Sequence, residues 1–440
     1  MPSVSEGNED PVKDSADWYD LFQQLIHHAF STSSLRGESP KDHPMILAER
    51  SYNSPHIRQQ LMECLFEELQ VPAAFLAKDA VLSCYASGRT SATVVDFGYA
   101  GTTVTPVYDG YVEAKGIRRN PSASLHRADT MVLETLDTLY RKKKKASAST
   151  TIAPLYQVLG CSRRKDTIHH AARLHMANEC RLHGAGVSIN TAPKSSDSNT
   201  QFHAPSVPFE LPDGTTIDVP SVERFRVSEA LFGSSTSDAD ETYLAEVKTT
   251  ISGYIQSATS GSSDSNSTSD DANETKQLHH ESVGSSVLSS SSSSNNNNRK
   301  TPKRSAAAWR RACTPHLQHL HDTLLTAAPV PTMICDAAYR CERDQQGVLL
   351  GNVIVSGGGA CIGPTEQAVP DTIKEGVETL IHQHTPGWRV KVLTPSVTER
   401  AVLPWIGGSI VGSLGTFHDI WISKAEYEEW GSAIVNRKCP

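Results

Sequence analysis

Apolar positions recur along this chain with two periods, and the alternation of those periods predicts its elements. Over residues 17–30, Trp18, Leu21, Phe22, Leu25 and Ile26 fall on one side of a helix whose first turn Asp17 can cap. The run His43-Pro44-Met45-Ile46-Leu47-Ala48-Glu49 has the composition of a short buried strand. Ser54-Pro55 then opens a helix with Ile57, Leu61, Leu65 and Phe66 on its apolar face. Residues 71–84 read as strand, turn and helix. Residues 92–98 and 101–110 form two β-branched strands joined by a glycine-containing turn, and 111–116 a third strand. A helix over 129–140 presents Val132, Leu133, Leu136 and Leu139 and ends in a basic run at 141–145, whose cations favour the helix dipole.

Three stretches break this pattern. Residues 146–151 and 193–200 are small and polar, and 234–305 contains a serine run at 289–294 followed by asparagines at 295–298. Such composition buries too little apolar surface to offset the entropy of ordering. The longest stretch is therefore expected to be a disordered insertion, with a short helix at 243–255.

At 440 residues the chain exceeds a single hydrophobic core, so two lobes are expected. With 41 basic and 49 acidic residues the net charge is -8, which disfavours wholesale attachment to nucleic acid or an anionic membrane. The cysteines, nine in all, show no paired spacing, which points to a reducing compartment and no zinc site. The first residues lack the apolar core of a secretory signal. The most hydrophobic window, 401–422, holds Pro404, His418 and Asp419 and is poor material for a bilayer span. A soluble intracellular protein is expected, without membrane or sequence-specific nucleic-acid contacts.

Candidate chemistry sits at two glycine turns. In Asp96-Phe97-Gly98-Tyr99-Ala100-Gly101-Thr102-Thr103, backbone amides can cradle phosphate oxygens and the Asp96 carboxylate can hold hydrated magnesium. A plain hairpin turn also uses glycine, and that reading stays open. In Asn352-Val353-Ile354-Val355-Ser356-Gly357-Gly358-Gly359, a buried strand runs into a bend where backbone can approach a ligand closely.

Near the end of the chain, Val397-Thr398-Glu399-Arg400, Trp405-Ile406-Gly407-Gly408-Ser409-Ile410, Leu414-Gly415-Thr416-Phe417, Trp421-Ile422-Ser423-Lys424 and Arg437-Lys438-Cys439-Pro440 follow in an order and spacing that resemble the C-terminus of actin and actin-related proteins. The resemblance implies an α/β, two-lobed actin-like fold, a duplicated ribonuclease H-like architecture. It divides the chain into a disordered N-terminus (1–16), a partial first lobe (17–91), the first part of a second lobe (92–233), the low-complexity insertion (234–305), the rest of the second lobe (306–394) and a return to the first lobe (395–440). An initial Asp-x-Gly strand is not found, so the first lobe is expected to be N-terminally truncated.

The same resemblance implies a site for ATP with magnesium, formed by Asp96, Gly98, Thr102, Gly357, Gly358, Glu399 and Arg400, with Asp96 as the metal ligand. It also marks departures. Tyr99, Ala100 and Thr103 replace an aspartate, a glycine and a water-ordering histidine, and Asp79 stands for the water-orienting glutamine. Met176, Ala177 and Asn178 do not reproduce the lysine and glutamate that a helix normally offers to the nucleotide, and Ile362, Ala401 and Val402 thin the adenine contacts. Hydrolysis needs a positioned water as well as bound phosphate. ATP binding is therefore expected to be weak or absent, and no catalytic residue is assigned.

Residues 43–49 and 59–71 and the closing Lys438-Cys439-Pro440 look most like nuclear actin-related proteins of chromatin remodellers and histone acetyltransferase complexes. The resemblance implies a non-catalytic scaffold in the nucleus, with a helix of the remodelling ATPase, actin and histones as partners. The docking trough would be walled by Tyr85, Gly88 and Thr90 on one side and Val411, Leu414, Thr416 and Ile420 on the other. Ordinary core packing is the other reading of each. The basic clusters at 141–145 and 299–304 read as import signals or as solvated surface. A cytoskeletal actin-like ATPase is the alternative function.

Overall fold

The computed structural model describes residues 13–31, 38–162, 165–184, 205–233, 238–260, 325–362, 367–383 and 387–440, with isolated positions between 315 and 321. Helix α1 (Lys13–Ser31) opens the described chain and precedes strand β1 (Met45–Glu49), helix α2 (Pro55–Glu63), strand β2 (Ala73–Lys78) and helix α3 (Asp79–Ala86). The hairpin of β3 (Ala92–Gly98) and β4 (Gly101–Tyr108) is extended by β5 (Tyr111–Val112) and β6 (Arg118–Asn120). Helices α4 (Leu125–Lys144), α5 (Leu155–Val158) and α6 (Asp166–Gly184) lead to the hairpin β7 (Val207–Glu210) and β8 (Thr216–Val219), then to α7 (Ser221–Phe232) and α8 (Asp238–Ser260). The last part holds α9 (Val330–Tyr339), α10 (Arg343–Gly351), β9 (Asn352–Ser356), α11 (Ala368–Ile381), β10 (Lys391–Leu393), α12 (Val397–Gly412), β11 (Ile422–Ser423), α13 (Lys424–Trp430) and α14 (Val435–Lys438).

Among the described residues two larger sheets organise these elements, and β7 pairs with β8 as a separate two-stranded sheet. In the first, β1 and β2 run parallel and β11 adds antiparallel to β2, with Ile422 opposite Ala74. The second has the order β10-β9-β3-β4-β5, with β6 also on β4 and β9 parallel to β3. Chain segments far apart in sequence thus share one sheet in each lobe. The first-lobe core packs Met62, Leu65, Leu69, Leu76 and Ile422, with the Phe66 and Tyr427 rings stacked at 4.6 Å. The second-lobe core gathers Val95, Phe97, Leu136, Leu231, Met333 and Val355. Between them, Ala80 and Cys84 of α3, Val94 and Val107 of the hairpin, Ile354 of β9 and Leu403 of α12 form a smaller cluster where the lobes join. There α12 lies so close to α3 that a Cβ on Gly407 would sit 1.9 Å from the Leu82 carbonyl oxygen.

A buried charge cluster ties the first sheet to the end of the chain. Glu49 is fully enclosed and accepts from Arg58 Nε and pairs with Lys78 Nζ, both at 2.8 Å. Arg58 also reaches Asn436 Oδ1 (3.2 Å) and the Cys439 carbonyl oxygen. Nearby, Lys438 Nζ donates to Glu426 Oε1 at 2.8 Å and the Ser423 amide to Oε2 at 2.9 Å. These bonds, Lys438 foremost, hold the Glu426 carboxyl down at about 2. An acid whose folded pKa is depressed stabilises the fold above its ordinary pKa and loses that contribution as pH falls through the folded value. The 438–426 anchor is therefore expected to be intact at pH 5 and to loosen between about 4.5 and about 2. A carbon-detected NMR titration of Glu426 checks this, and a midpoint near 4.5 would contradict it.

Several expectations need correction. Asp17 does not cap the opening helix, because the helix already runs from Lys13. β1 is an edge strand with Met45, Ile46 and Leu47 only half-buried, since one side of it has no neighbour among the described residues. No turn separates β2 from α3; the strand passes directly into the helix. The third strand of the hairpin sheet stops at Val112, and a 3-10 turn at Ala114–Gly116 follows. Helix α4 starts four residues before the expected 129, because Ser124 Oγ accepts from the Arg127 amide and caps it there. The insertion carries a 23-residue helix, α8, rather than a short one. Residues 1–12, 193–200 and 261–314, with the serine, asparagine and 299–304 basic runs, lie outside the described residues. Among the described residues no helix is long and apolar enough to cross a membrane.

Candidate functional site

The cleft between the lobes is floored by the ends of β3 and β9. Asp96 stands opposite Thr103 in β4 and beside Ser356, the last residue of β9. Gly357 follows with φ +94°, and a Cβ there would lie 2.5 Å from Asp96 Oδ1 and from the Phe97 carbonyl oxygen. Glycine is required at 357 by this close approach of two strand ends, which is a packing reason before it is a ligand-binding one. Gly358 has only Leu125 Cδ1 near its missing Cβ, at 3.6 Å. Gly98 faces Gly101 across the two-residue turn of the hairpin, and Thr102 behind it is fully buried.

Most groups expected to face a nucleotide are engaged by the protein itself. The Gly357 amide donates to the Arg400 carbonyl oxygen at 2.8 Å. Arg400 is 1 % exposed and donates from Nε to Pro395 O (3.1 Å) and from Nη1 to Ala360 O (3.0 Å). Glu399 forms a reciprocal cap with Ser396 at the start of α12, and the Ser396 hydroxyl and amide hold its carboxyl below the ordinary range. The Thr102 hydroxyl donates to Ala123 O at 2.7 Å. Met176 and Ala177, on the helix expected to reach the nucleotide, and Ile362, at the expected adenine position, are buried in the second-lobe core. Tyr99 is exposed at the hairpin turn, its hydroxyl paired with His126 Nδ1 at 3.0 Å.

The residue that sequence reasoning missed is Arg50. It follows β1 directly, and its Nη1 lies 2.5 Å from Asp96 Oδ2 and 3.3 Å from Asp79 Oδ2. The Ser51 amide and hydroxyl hold the other Asp79 oxygen at 3.1 and 2.6 Å. Burial pushes the Asp96 carboxyl up, against the pull of Arg50. Burial likewise opposes the Arg50 charge, but Asp96 and Asp79 outweigh it and keep the guanidinium protonated. A clue was present: aspartate at 79 adds a second negative charge near Asp96, and two converging carboxylates need a cation between them. Behind this pair, a narrow recess is lined by Ser83, Thr103, Thr105 and Ser356, and the Ser356 hydroxyl is buried there without a hydrogen-bond partner.

Beside the hinge, Tyr85 is half-buried against the first-lobe core, while Gly88 (φ +64°) and Thr90 are exposed where α3 ends. On the other chain segment, Leu414 is 51 % and Ile420 42 % exposed, and Thr416 is exposed as well. Val411 is 8 % exposed and lies in the same apolar cluster that Tyr85 packs against. The structure thus joins Tyr85 and Val411 through one cluster and leaves Leu414 and Ile420 as the open apolar surface.

The actin family model matches residues 10–440. This chain belongs to the actin family. It is 30 % identical to Actin-related protein 4 of Oryza sativa subsp. indica over 437 residues, which covers 98 % of this chain and 78 % of that protein. Actin-related protein 4 of Arabidopsis thaliana is 26 % identical over 98 % of this chain and 79 % of its own length, and that of Schizosaccharomyces pombe is 26 % identical over 91 % and 78 %. The actin fold generally binds ATP with magnesium. In this actin-family chain the residues do not fit that pair as they stand, because Arg50 already pairs with Asp96, the carboxylate expected to answer to the metal, and Arg400, Thr102 and Gly357 are committed to backbone.

Proposed function

We propose that this protein is a non-catalytic scaffold subunit of a nuclear chromatin-remodelling or histone acetyltransferase complex. It docks a helix of the remodelling ATPase beside actin, and histones are a further partner. The observation that carries the reading is the pairing of an open apolar surface at Leu414 and Ile420 with a cleft whose nucleotide-facing groups are used internally. A helix laid into a groove gains affinity from apolar anchors of this kind, and small residues such as Gly88 let its backbone approach. Similarity to proteins named Actin-related protein 4 over nearly the whole chain supports the same reading.

Affinity purification from nuclei tests it. A remodelling ATPase, an acetyltransferase subunit or actin is expected in near-stoichiometric amount. Replacing Leu414 and Ile420 together by aspartate is expected to reduce recovery of the ATPase at least about tenfold, the loss of one or two anchor contacts at about 1.4 kcal/mol per decade. The variant should melt at the wild-type temperature, since both side chains are exposed. Finding none of the three partner classes with the wild-type chain would remove the proposal.

A further inference from the structure

We infer that the turn carrying Arg50 and Tyr52 is a built-in clamp across the cleft, which takes the place of a phosphate-bound divalent cation and holds the lobes closed without nucleotide. The inference is independent of what docks near Leu414. It rests on contacts made from one tight turn, closed by the Asn53 amide on the Arg50 carbonyl oxygen at 2.9 Å.

From that turn, Arg50 reaches Asp96 in the second lobe at 2.5 Å while also touching Asp79 at the start of α3. Two residues on, the Tyr52 hydroxyl accepts from Arg119 Nη1, and the Arg119 guanidinium stacks over the Tyr52 ring with 5.0 Å between its carbon and the ring centre. Arg119 belongs to β6 of the second sheet, and its Nη2 donates to the carbonyl oxygen of Ala100 in the hairpin turn at 3.1 Å. The first lobe therefore grips the hairpin at both its strand end and its tip. The single positive charge of Arg50 offsets one of the two carboxylate charges, and its Nη1 takes Asp96 Oδ2, an oxygen that a hydrated metal would otherwise contact.

Arg50 is 47 % exposed, so water and salt screen its pairs, and the clamp should weaken as ionic strength rises. The test uses the full chain and two probes, magnesium-ATP and sodium chloride. Melting in 5 mM magnesium-ATP, an excess chosen on the order of millimolar to saturate any useful site, is expected to match melting in chelator within about 1 °C. Hydrogen exchange in the 96–103 hairpin is expected to rise about threefold or more between low and 1 M salt, while exchange in α12 stays unchanged. Arg50→Ala with Tyr52→Ala should raise that exchange about tenfold at low salt, and Arg50→Lys should restore part of the protection.

A melting shift of several degrees with magnesium-ATP would overturn the inference, as would hairpin exchange that ignores both salt and the double substitution. Should the double variant fail to fold, the wild-type salt series decides alone.

Discussion

Replacing Gly407 by alanine is expected to cost at least about 3 kcal/mol of stability, at the upper end of what overpacking does. The added Cβ would lie 1.9 Å from the Leu82 carbonyl oxygen, 2.6 Å from its carbon and 2.9 Å from its Cα. All three are backbone atoms of α3, so no side chain can swing aside and one helix must move bodily. Since α3 and α12 meet where the lobes join, the movement would part the lobes as well as strain the helices. Gly412 provides the control. Its Cβ would meet only Ile46 Cδ1 at 3.0 Å, the far end of a flexible side chain, and Gly412→Ala is expected to stay within about 1 kcal/mol of wild type. Paired urea melts check both; equal stabilities for the two variants would show that the helix crossing is looser than described.

Glu49→Leu is expected to cost about 3–5 kcal/mol, the usual consequence of removing one partner from a buried ion cluster. Glu49 is 3 % exposed and is the counter-charge for both Arg58 and Lys78. Burial already lowers the Lys78 pKa, with Glu49 acting against it, so loss of the carboxylate would leave two enclosed cations facing one another. Arg58 would then hold Asn436 and the Cys439 carbonyl oxygen less firmly. Exchange of the 435–439 amides is expected to rise about tenfold or more beyond the rise in α7, which sits in the other lobe and serves as reference. A uniform rise across both lobes would mean that the cluster supports global stability without anchoring the C-terminus.

Much of the fold was legible because local signals happen to bracket it. The strand read ahead of the glycine bend is β9, Asn352–Ser356, since the apolar run Val353, Ile354 and Val355 is followed closely by consecutive glycines. The β3–β4 hairpin was legible for the same reason, with β-branched residues on either side of Gly98 and Gly101. Helix ends were less legible. The first turn of α4, Leu125 to Ala128, carries no helical stripe of apolar residues, and only the cap on Ser124 marks its start. The edge character of β1 was hidden because apolar composition reports hydrophobicity and not how many neighbours a strand has.

The site was less legible than the fold. A motif match carries residue identities but not their hydrogen-bond partners, and Arg400 and Glu399 are matched residues whose donors and acceptors serve their own helix start. Val411 matched a trough position and is mostly enclosed. Arg50 and Asp96 are 46 positions apart, one in the turn after β1 and the other in a strand of the second sheet, so no spacing argument could pair them. The parallel pairing of β1 with β2 and the passage of β2 straight into α3 set Asp79 beside the turn after β1, and Asp96 reaches the same guanidinium from β3 of the other sheet.

The central claim is that the lobes persist as a docking body for a partner helix while the nucleotide site is occupied by the protein's own groups. Hydrogen exchange on the chain in its purified nuclear complex and alone, each with and without magnesium-ATP, tests it most directly. The account predicts protection of 85–90 and 410–420 in the complex and no effect of nucleotide on 96–103 in either state. Identical exchange of 85–90 and 410–420 in the free and bound chain, or strong protection of 96–103 by magnesium-ATP, would contradict it.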